Sequence, residues 1–380
     1  MKFAYAPYAI AFCLLPTIAL AQVNIGISLP LTGHASVLGK NAKDAIGMMP
    51  NHIGDLGIKF TILDDRTDSP SAAANAAKLV SDNVDVLMGS GTSPQSLAMV
   101  DVAAQSKTPM IALSSTRKLI EPMDEKRRWI FKPNPLDNIW VTAFYDSLKK
   151  KGARTIGFLA FEDAVGDNLS AEVQKSVGPS GLTLVDTVKF HDNDENLAAN
   201  LAKLVTAKPD AIIIAAPAIA ALLPQTLLKK ENYQGLIYQT NTVATTAFLR
   251  EGGQTVEGTI VVTGPCNVYE ELPDTNPIKA PCADFTGRYE SIFGPGTRNP
   301  TSYQAYDAWR LLAVAIPIAR KSGPPGTPEF RAALRDALEQ IRDFPANTGV
   351  ITMSPTDHMG LDQRAAVIAQ AKNGAWRLLP

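Results

Sequence analysis

From residue 23 onward, short apolar runs alternate with longer segments of helical spacing. Val23, Ile25, Ile27 and Leu29 alternate with smaller or polar neighbours, a period of two that predicts a strand ending at Pro30-Leu31-Thr32-Gly33. Ala42, Ala45, Ile46 and Met49 then fall on one helical face. Strands are predicted over 60–63, 84–88 and 110–113, with helices over 70–81 and 94–106 between them. Strand and helix in strict alternation argue for a parallel sheet covered on both faces. A fifth strand over 129–132 runs into Pro133-Asn134-Pro135, which reads as a crossover. The alternation then restarts. Helices are predicted over 139–151, 169–177, 196–206 and 218–230, and strands over 155–159, 182–190, 211–214, 236–238 and 258–262. This is a second doubly wound sheet. Past 264 come a proline-rich excursion, helices over 284–293, 302–322 and 328–342, and terminal strands over 350–353, 365–368 and 375–378. Two α/β lobes without a long linker imply several short connections, and so a hinge with a cleft.

The first residues add an address. Residues 9–15 are apolar, and Ala19-Leu20-Ala21 supplies the small residues of a cleavage site, so 1–21 reads as a secretory signal peptide. The run is broken by Pro7 and Pro16 and is too short to span a bilayer. With 36 basic and 37 acidic residues the net charge is −1. That balance gives no reason to expect nucleic acid or anionic lipid as a partner. In a secreted chain, Cys266 and Cys282 are expected to pair, and closing a loop of that size stabilises a fold by about 3 kcal/mol. No histidine lies nearby, and there is no Cys-x-x-Cys, so the pair reads as structural.

In open α/β sheets ligands gather at the carboxyl ends of the strands. Those ends are Thr32-Gly33-His34, Gly91-Thr92-Ser93 and Ser114-Ser115-Thr116 in one lobe, and Phe161-Glu162-Asp163, Ala215-Ala216-Pro217 and Gln239-Thr240-Asn241 in the other. The most informative is the stretch over 86–96. There Ser93 has N-cap chemistry, Pro94 fits the first helical position, and the free N–H groups of the helix start suit an anion, most simply a carboxylate. Catalytic chemistry is scarce by comparison. His34, His52, His191 and His358 show no metal-ligand spacing, Asp64-Asp65 suits a turn, Gly89-Ser90-Gly91 lacks the Lys-Ser/Thr of a phosphate loop, and no Gly-x-Ser-x-Gly occurs. Hydroxyls, helix starts and apolar walls are recognition chemistry. Neither an enzymatic activity nor a cofactor nor a metal is expected.

These residues carry a resemblance. The signal segment, the opening Ile25-Gly26-Ile27-Ser28-Leu29-Pro30-Leu31-Thr32-Gly33, the Asp64-Asp65 strand end, residues 89–94 and residues 109–116 together resemble the periplasmic Leu/Ile/Val-binding protein family, solute-binding proteins of ABC importers. The resemblance runs the length of the mature chain, including Phe131-Lys132-Pro133-Asn134. Residues 122–129, 207–210 and 237–240 look like a subgroup that binds aromatic carboxylic acids such as benzoylformate.

The resemblance implies two doubly wound parallel-sheet lobes joined by three crossovers, 22–133 plus 265–348 and 134–264 plus 349–380, closing on a ligand. It implies that Ser93 binds the ligand's carboxylate together with Ser114, Ser115 and Thr116. Two departures are informative. Val165-Gly166 stands where amino-acid binders carry a tyrosine before glycine, and Asn241 stands where they carry the glutamate that pairs the ligand's ammonium. Pro217 replaces a further tyrosine. A buried ammonium without its carboxylate costs several kcal/mol, roughly, so the expected ligand is a small acid without an α-amino group, aromatic or 2-oxo. Asp163 and Asn241 would read its far end, and Phe161 and Tyr238 could offer aromatic faces. The expected setting is the periplasm, as a monomer, with an inner-membrane ABC permease as partner. A branched-chain amino acid binder, with Asp163 taking the ammonium, is the nearest alternative. The ligand-sensing domain of a receptor is a more distant one and predicts a transmembrane or kinase segment after the fold.

Overall fold

The computed structural model describes residues 22–379; the expected signal peptide lies outside them. The first sheet has six strands in the order His52–Ile53, Leu56–Asp64, Gln22–Leu29, Val86–Gly89, Met110–Ile111 and Ile130–Phe131. All pairings are parallel except the hairpin of the first two. Gln22–Leu29 lies at its centre, with Ile25 in register with Phe60 on one side and Val86 on the other. Val23, Ile25, Ile27 and Leu29 are wholly buried there, as expected of a strand covered by helices on both faces.

The second sheet has seven strands in the order Ala375–Leu378, Val367–Lys372, Ile260–Thr263, Leu236–Gln239, Ala211–Ala215, Thr155–Phe161 and Thr183–Phe190. The first two pairings are antiparallel and the remainder parallel. The continuous apolar run Ile212-Ile213-Ile214 is fully buried, with alternate residues feeding the cores on the two faces. Each sheet is thus the centre of an α/β lobe.

The chain passes between the lobes three times. Phe131 belongs to the first core and Val141 to the second lobe; Val262 lies in the second lobe and Cys266 in the first; Ala365 packs in the first and Ala369 in the second. Two of the passages are bolted in place. At the first, the Lys132 N–H donates to the His358 carbonyl at 3.0 Å, and the His358 ring stacks on Phe131 at 4.2 Å. At the second, Cys266 and Cys282 are joined as a disulfide with their Cα atoms 5.2 Å apart. It ties the segment leaving the second sheet to the helix Lys279–Phe293.

Some elements differ from expectation. Of residues 350–353 only Val350–Ile351 is a strand, and it pairs antiparallel with Phe344–Pro345 outside both main sheets. A 3-10 turn over Ala218–Ala221 precedes the helix Leu222–Lys230. The helix Thr246–Gly252 has no counterpart in the sequence reading, because its seven residues are too few to display a period.

Candidate ligand cleft

One wall of the cleft is built at the end of strand Val86–Gly89. Gly89 holds φ at +116°, and a Cβ there would fall 2.0 Å from the Ser28 carbonyl oxygen, so the tight exit from the strand requires glycine. The helix that follows is Ser93–Gln105, with Thr92 as its extended N-cap. The cap is therefore one residue earlier than the sequence suggested, and Ser93 and Pro94 open the first turn. Thr92 makes no capping hydrogen bond; its hydroxyl engages the Gln95 side chain instead. The leading N–H groups of this helix are left to whatever enters the cleft. Among the described residues, the Ser93 hydroxyl has no hydrogen-bond partner.

Ser114 is different. It is 4% exposed, and its hydroxyl donates to Ser96 Oγ at 2.9 Å, which in turn donates to the Ser90 carbonyl at 2.9 Å. Ser90 Oγ donates to Asp65 Oδ2 at 2.7 Å. Burial pushes the Asp65 carboxyl up, against the pull of its hydrogen bonds from Ser90 and the Thr67 N–H. Asp64 accepts from the N–H groups of Leu31, Thr32 and Arg66. The acidic pair therefore fastens turns together, and Ser114 anchors the cleft wall to that network.

The facing wall repeats the construction. Asp163 is the extended cap of helix Ala164–Ser176, its Oδ1 accepting from the Gly166 N–H at 2.7 Å. A Cβ on Gly166 would lie 2.1 Å from the Phe161 carbonyl oxygen, so glycine lets this helix seat against its strand. Thr242 donates to the Ala216 carbonyl at 2.7 Å and lies 3.1 Å from the Thr240 hydroxyl, fixing two strand ends side by side.

Between the walls lies a cavity of about 540 Å³, within the range of roughly 300–1,000 Å³ common for small-molecule sites. Ser93, Ser114, Ser115, Asp163, Val165 and Pro217 line it. Thr116, Asn241, Phe161 and Tyr238 are not among its lining residues. Asn241 begins a 3-10 turn, although its neighbours Thr240 and Thr242 do line the cavity. Phe161 packs edge-on to Phe190. Tyr238 is fully buried and shares a 2.7 Å hydrogen bond with Ser147, so it serves the core of its lobe. The sequence reading missed Val37, Leu38, Asn168 and Thr242, which the cavity recruits. Val37 and Leu38 had left a trace: they fall off the stripe of Ala42, Ala45 and Ile46 and are 66% and 37% exposed.

No lysine, arginine, phenylalanine, tyrosine or tryptophan lines the cavity; His34 contributes an imidazole, and Asp163 is its one acid. Among the described residues no cluster of three or more metal-ligating side chains occurs, and no helix is long and apolar enough to cross a membrane.

Two lobes facing each other across apolar walls, hydroxyls and helix starts make a cleft of small-molecule size, and comparison with known proteins gives the family. Residues 22–375 match the model of the periplasmic binding protein family, and the chain belongs to it. It is similar to an extracellular ligand-binding receptor from Rhodopseudomonas palustris HaA2, 35% identical with a TM-score of 0.84, covering 94% of this chain and 100% of that one. The fold is shared with a leucine-binding protein from Thermotoga maritima MSB8 (22% identical, TM-score 0.72, 94% and 98% covered). It is shared too with an ABC transporter solute-binding protein from R. palustris in complex with benzoate (19%, 0.75, 94% and 95%). The curated relatives are glutamate receptors of Arabidopsis thaliana, one 23% identical over 77% of this chain. The chain spans about a third of their length.

Proposed function

We propose that the protein is the periplasmic substrate-binding component of an ABC importer, a monomer that captures a small carboxylate, aromatic or 2-oxo in character, and presents it to an inner-membrane permease. The observation that carries the ligand class is the lining of the interlobe cavity. One wall offers the Ser93 hydroxyl, which has no partner among the described residues, with Ser115, His34 and an uncapped helix start, which together suit a carboxylate. Val37, Leu38, Val165, Ala216 and Pro217 supply aliphatic faces for an apolar body. The single acid already spends one oxygen on its own helix, which leaves little for an α-ammonium. Benzoate, held by a fold neighbour, is an acid of this class.

The lobes are proposed as 22–133 plus 265–348 and 134–264 plus 349–380, with one refinement. Val350, Ile351, Met353, Leu361 and Ala365 pack in the first core, so the last exchange is drawn at about residue 366. A branched-chain amino acid binder remains the second reading, since Asp163 Oδ2 makes no hydrogen bond among the described residues and could meet an ammonium. Calorimetry decides between them: saturable binding of benzoylformate with none of leucine is expected. Tight leucine binding without aromatic-acid binding would overturn the ligand class.

A further inference from the structure

Of the residues lining the cleft, His34 alone can carry a positive charge. It is exposed, and among the described residues its ring has no hydrogen-bond or ion-pair partner. The rings of His52, His191 and His358 each meet an oxygen, of Asn51, Asp192 and Ile130 respectively, and none of them lines the cleft. The backbone that presents His34 is held on both sides. Asp64 accepts from the Leu31 and Thr32 N–H groups at 2.9 and 3.2 Å. Thr67 Oγ1 accepts from the Ala35 N–H at 3.3 Å and donates to the Thr32 carbonyl at 2.9 Å. Gly33, at φ +83°, turns the chain where a Cβ would fall 2.6 Å from the Arg66 carbonyl oxygen. The same turn abuts the neighbouring helix start, since a Cβ on Gly91 would lie 3.6 Å from Leu38 Cβ and from the Pro30 ring. A braced turn therefore presents a free imidazole on the same lobe as Ser93, Ser115 and the uncapped start of helix Ser93–Gln105.

Hydroxyls and a helix start supply partial charges, and a carboxylate that leaves water for an apolar-walled cavity gains more from a full one. Imidazole is the side chain whose ordinary charge change falls between about pH 5 and 8, so such a charge is conditional on a proton. We propose that His34 makes capture of the carboxylate proton-linked: its imidazolium bonds to the bound carboxylate, and a cleft that is neutral at His34 takes up one proton with its ligand. This deepens, and rests on, the carboxylate reading of the cleft. A ligand that meets the protonated ring better than the neutral one favours protonation, and protonation favours the ligand by the same factor. Affinity is therefore highest at low pH and falls as rising pH withdraws the proton. The neighbouring charges keep their sign or are committed elsewhere. Burial raises the Asp64 carboxyl, but hydrogen bonds from Thr32, Arg66 and Leu31 outweigh it and hold the group below the usual carboxylate range. Arg66 donates to Ser71 at 2.6 Å, Arg117 pairs with Glu121 at 2.8 Å, and Lys40, on the helix after His34, does not line the cleft. From the opposite lobe Asp163 lines the cavity, while Asp167 behind it pairs with Lys189 at 2.7 Å.

Calorimetry with benzoylformate, a strong acid that stays ionised throughout, tests this between about pH 8.5 and about pH 5.5. Wild type should bind about tenfold more tightly at the acid end, and titrations in buffers of different ionisation enthalpy should show proton uptake. His34→Gln should flatten the profile and abolish the uptake. Ser93→Ala should weaken binding at every pH with the slope retained. Asp163→Asn should also retain the slope, which separates His34 from the other titratable group of the cavity. The chain has four histidines, so the His34 ring signal can be assigned in NMR spectra by its loss in His34→Gln. Its titration midpoint should move to higher pH when benzoylformate is added. A flat wild-type profile, or a slope that survives in His34→Gln, would overturn the proposal and leave the carboxylate reading standing. Absence of benzoylformate binding at every pH would overturn both.

Discussion

Neighbouring serines at the cleft divide their labour, and the division separates binding from stability. Ser93 and Ser96 stand three residues apart on one helix start. Ser93 lines the cavity with a hydroxyl that has no partner among the described residues, whereas Ser96 is fully buried, accepts from Ser114 and donates to the Ser90 carbonyl. A hydrogen bond to a charged group contributes about 1.5–3 kcal/mol, and leaving a buried group unsatisfied costs about 1–3 kcal/mol. Ser93→Ala should accordingly weaken carboxylate binding by about 1–3 kcal/mol in calorimetry with the melting midpoint unchanged. Ser96→Ala should lower stability by a similar amount in denaturant unfolding, since it orphans both the Ser114 hydroxyl and the Ser90 carbonyl. Equal effects of the two on affinity would remove Ser93 from the site. Nothing in the local sequence distinguishes the two serines. Which hydroxyl is spent on the backbone depends on Ser90 and Ser114, which meet Ser96 only through the parallel pairing of Val86–Gly89 with Met110–Ile111.

Elements were legible where their burial pattern was local. Gln22–Leu29 announces itself because its whole apolar run is buried, and Pro94 marks the helix start after Thr92 to within one residue; the helix capped by Asp163 begins at Ala164, five residues before the 169 expected from its apolar spacing. The aromatic faces were not legible. Phe161 and Tyr238 lie on strands that run toward the cleft, but Tyr238 turns its hydroxyl to Ser147 inside the lobe, and a strand-end ring can serve either side. The first crossover held a further surprise in Lys132, which is fully buried and donates to the carbonyl oxygens of Asn134 and Pro135. Burial pushes its ammonium from the ordinary 10.5 down to about 7, with Asp137 opposing the shift. Below about pH 7 Lys132 is protonated in both folded and unfolded chains. Between there and 10.5 the unfolded chain holds a proton that the folded chain has released, so stability rises with pH across that window. Denaturant unfolding at successive pH values should show wild type gaining on Lys132→Met by about 1 kcal/mol per pH unit between about pH 7 and 9. A constant difference would mean that Lys132 stays charged in the folded crossover.

At the scale of the whole molecule, the cavity is a junction of two stable lobes whose connections are short and braced. The disulfide and the stacking of His358 on Phe131 restrict motion at two crossovers without joining the cleft walls to each other. Val37 and Val165, contributed by opposite lobes, both line the cavity and are 66% and 52% exposed. Exposed apolar side chains on facing walls favour a state in which the walls approach, and full burial of a valine contributes about 1.5–3 kcal/mol. Ligand binding should therefore be coupled to closure. It should show a negative heat-capacity change, which marks apolar burial, and a smaller radius of gyration in X-ray solution scattering. Val37→Asp places a charge that closure would have to desolvate, so it should reduce affinity by at least about tenfold, or 1.4 kcal/mol. The unliganded stability should stay within about 0.5 kcal/mol of wild type, as for other exposed positions. Scattering then separates two mechanisms. If the wild type contracts on binding and Val37→Asp does not, the apolar rim drives closure. If neither contracts while both bind with equal affinity, the cleft is preformed and the rim plays no part in capture.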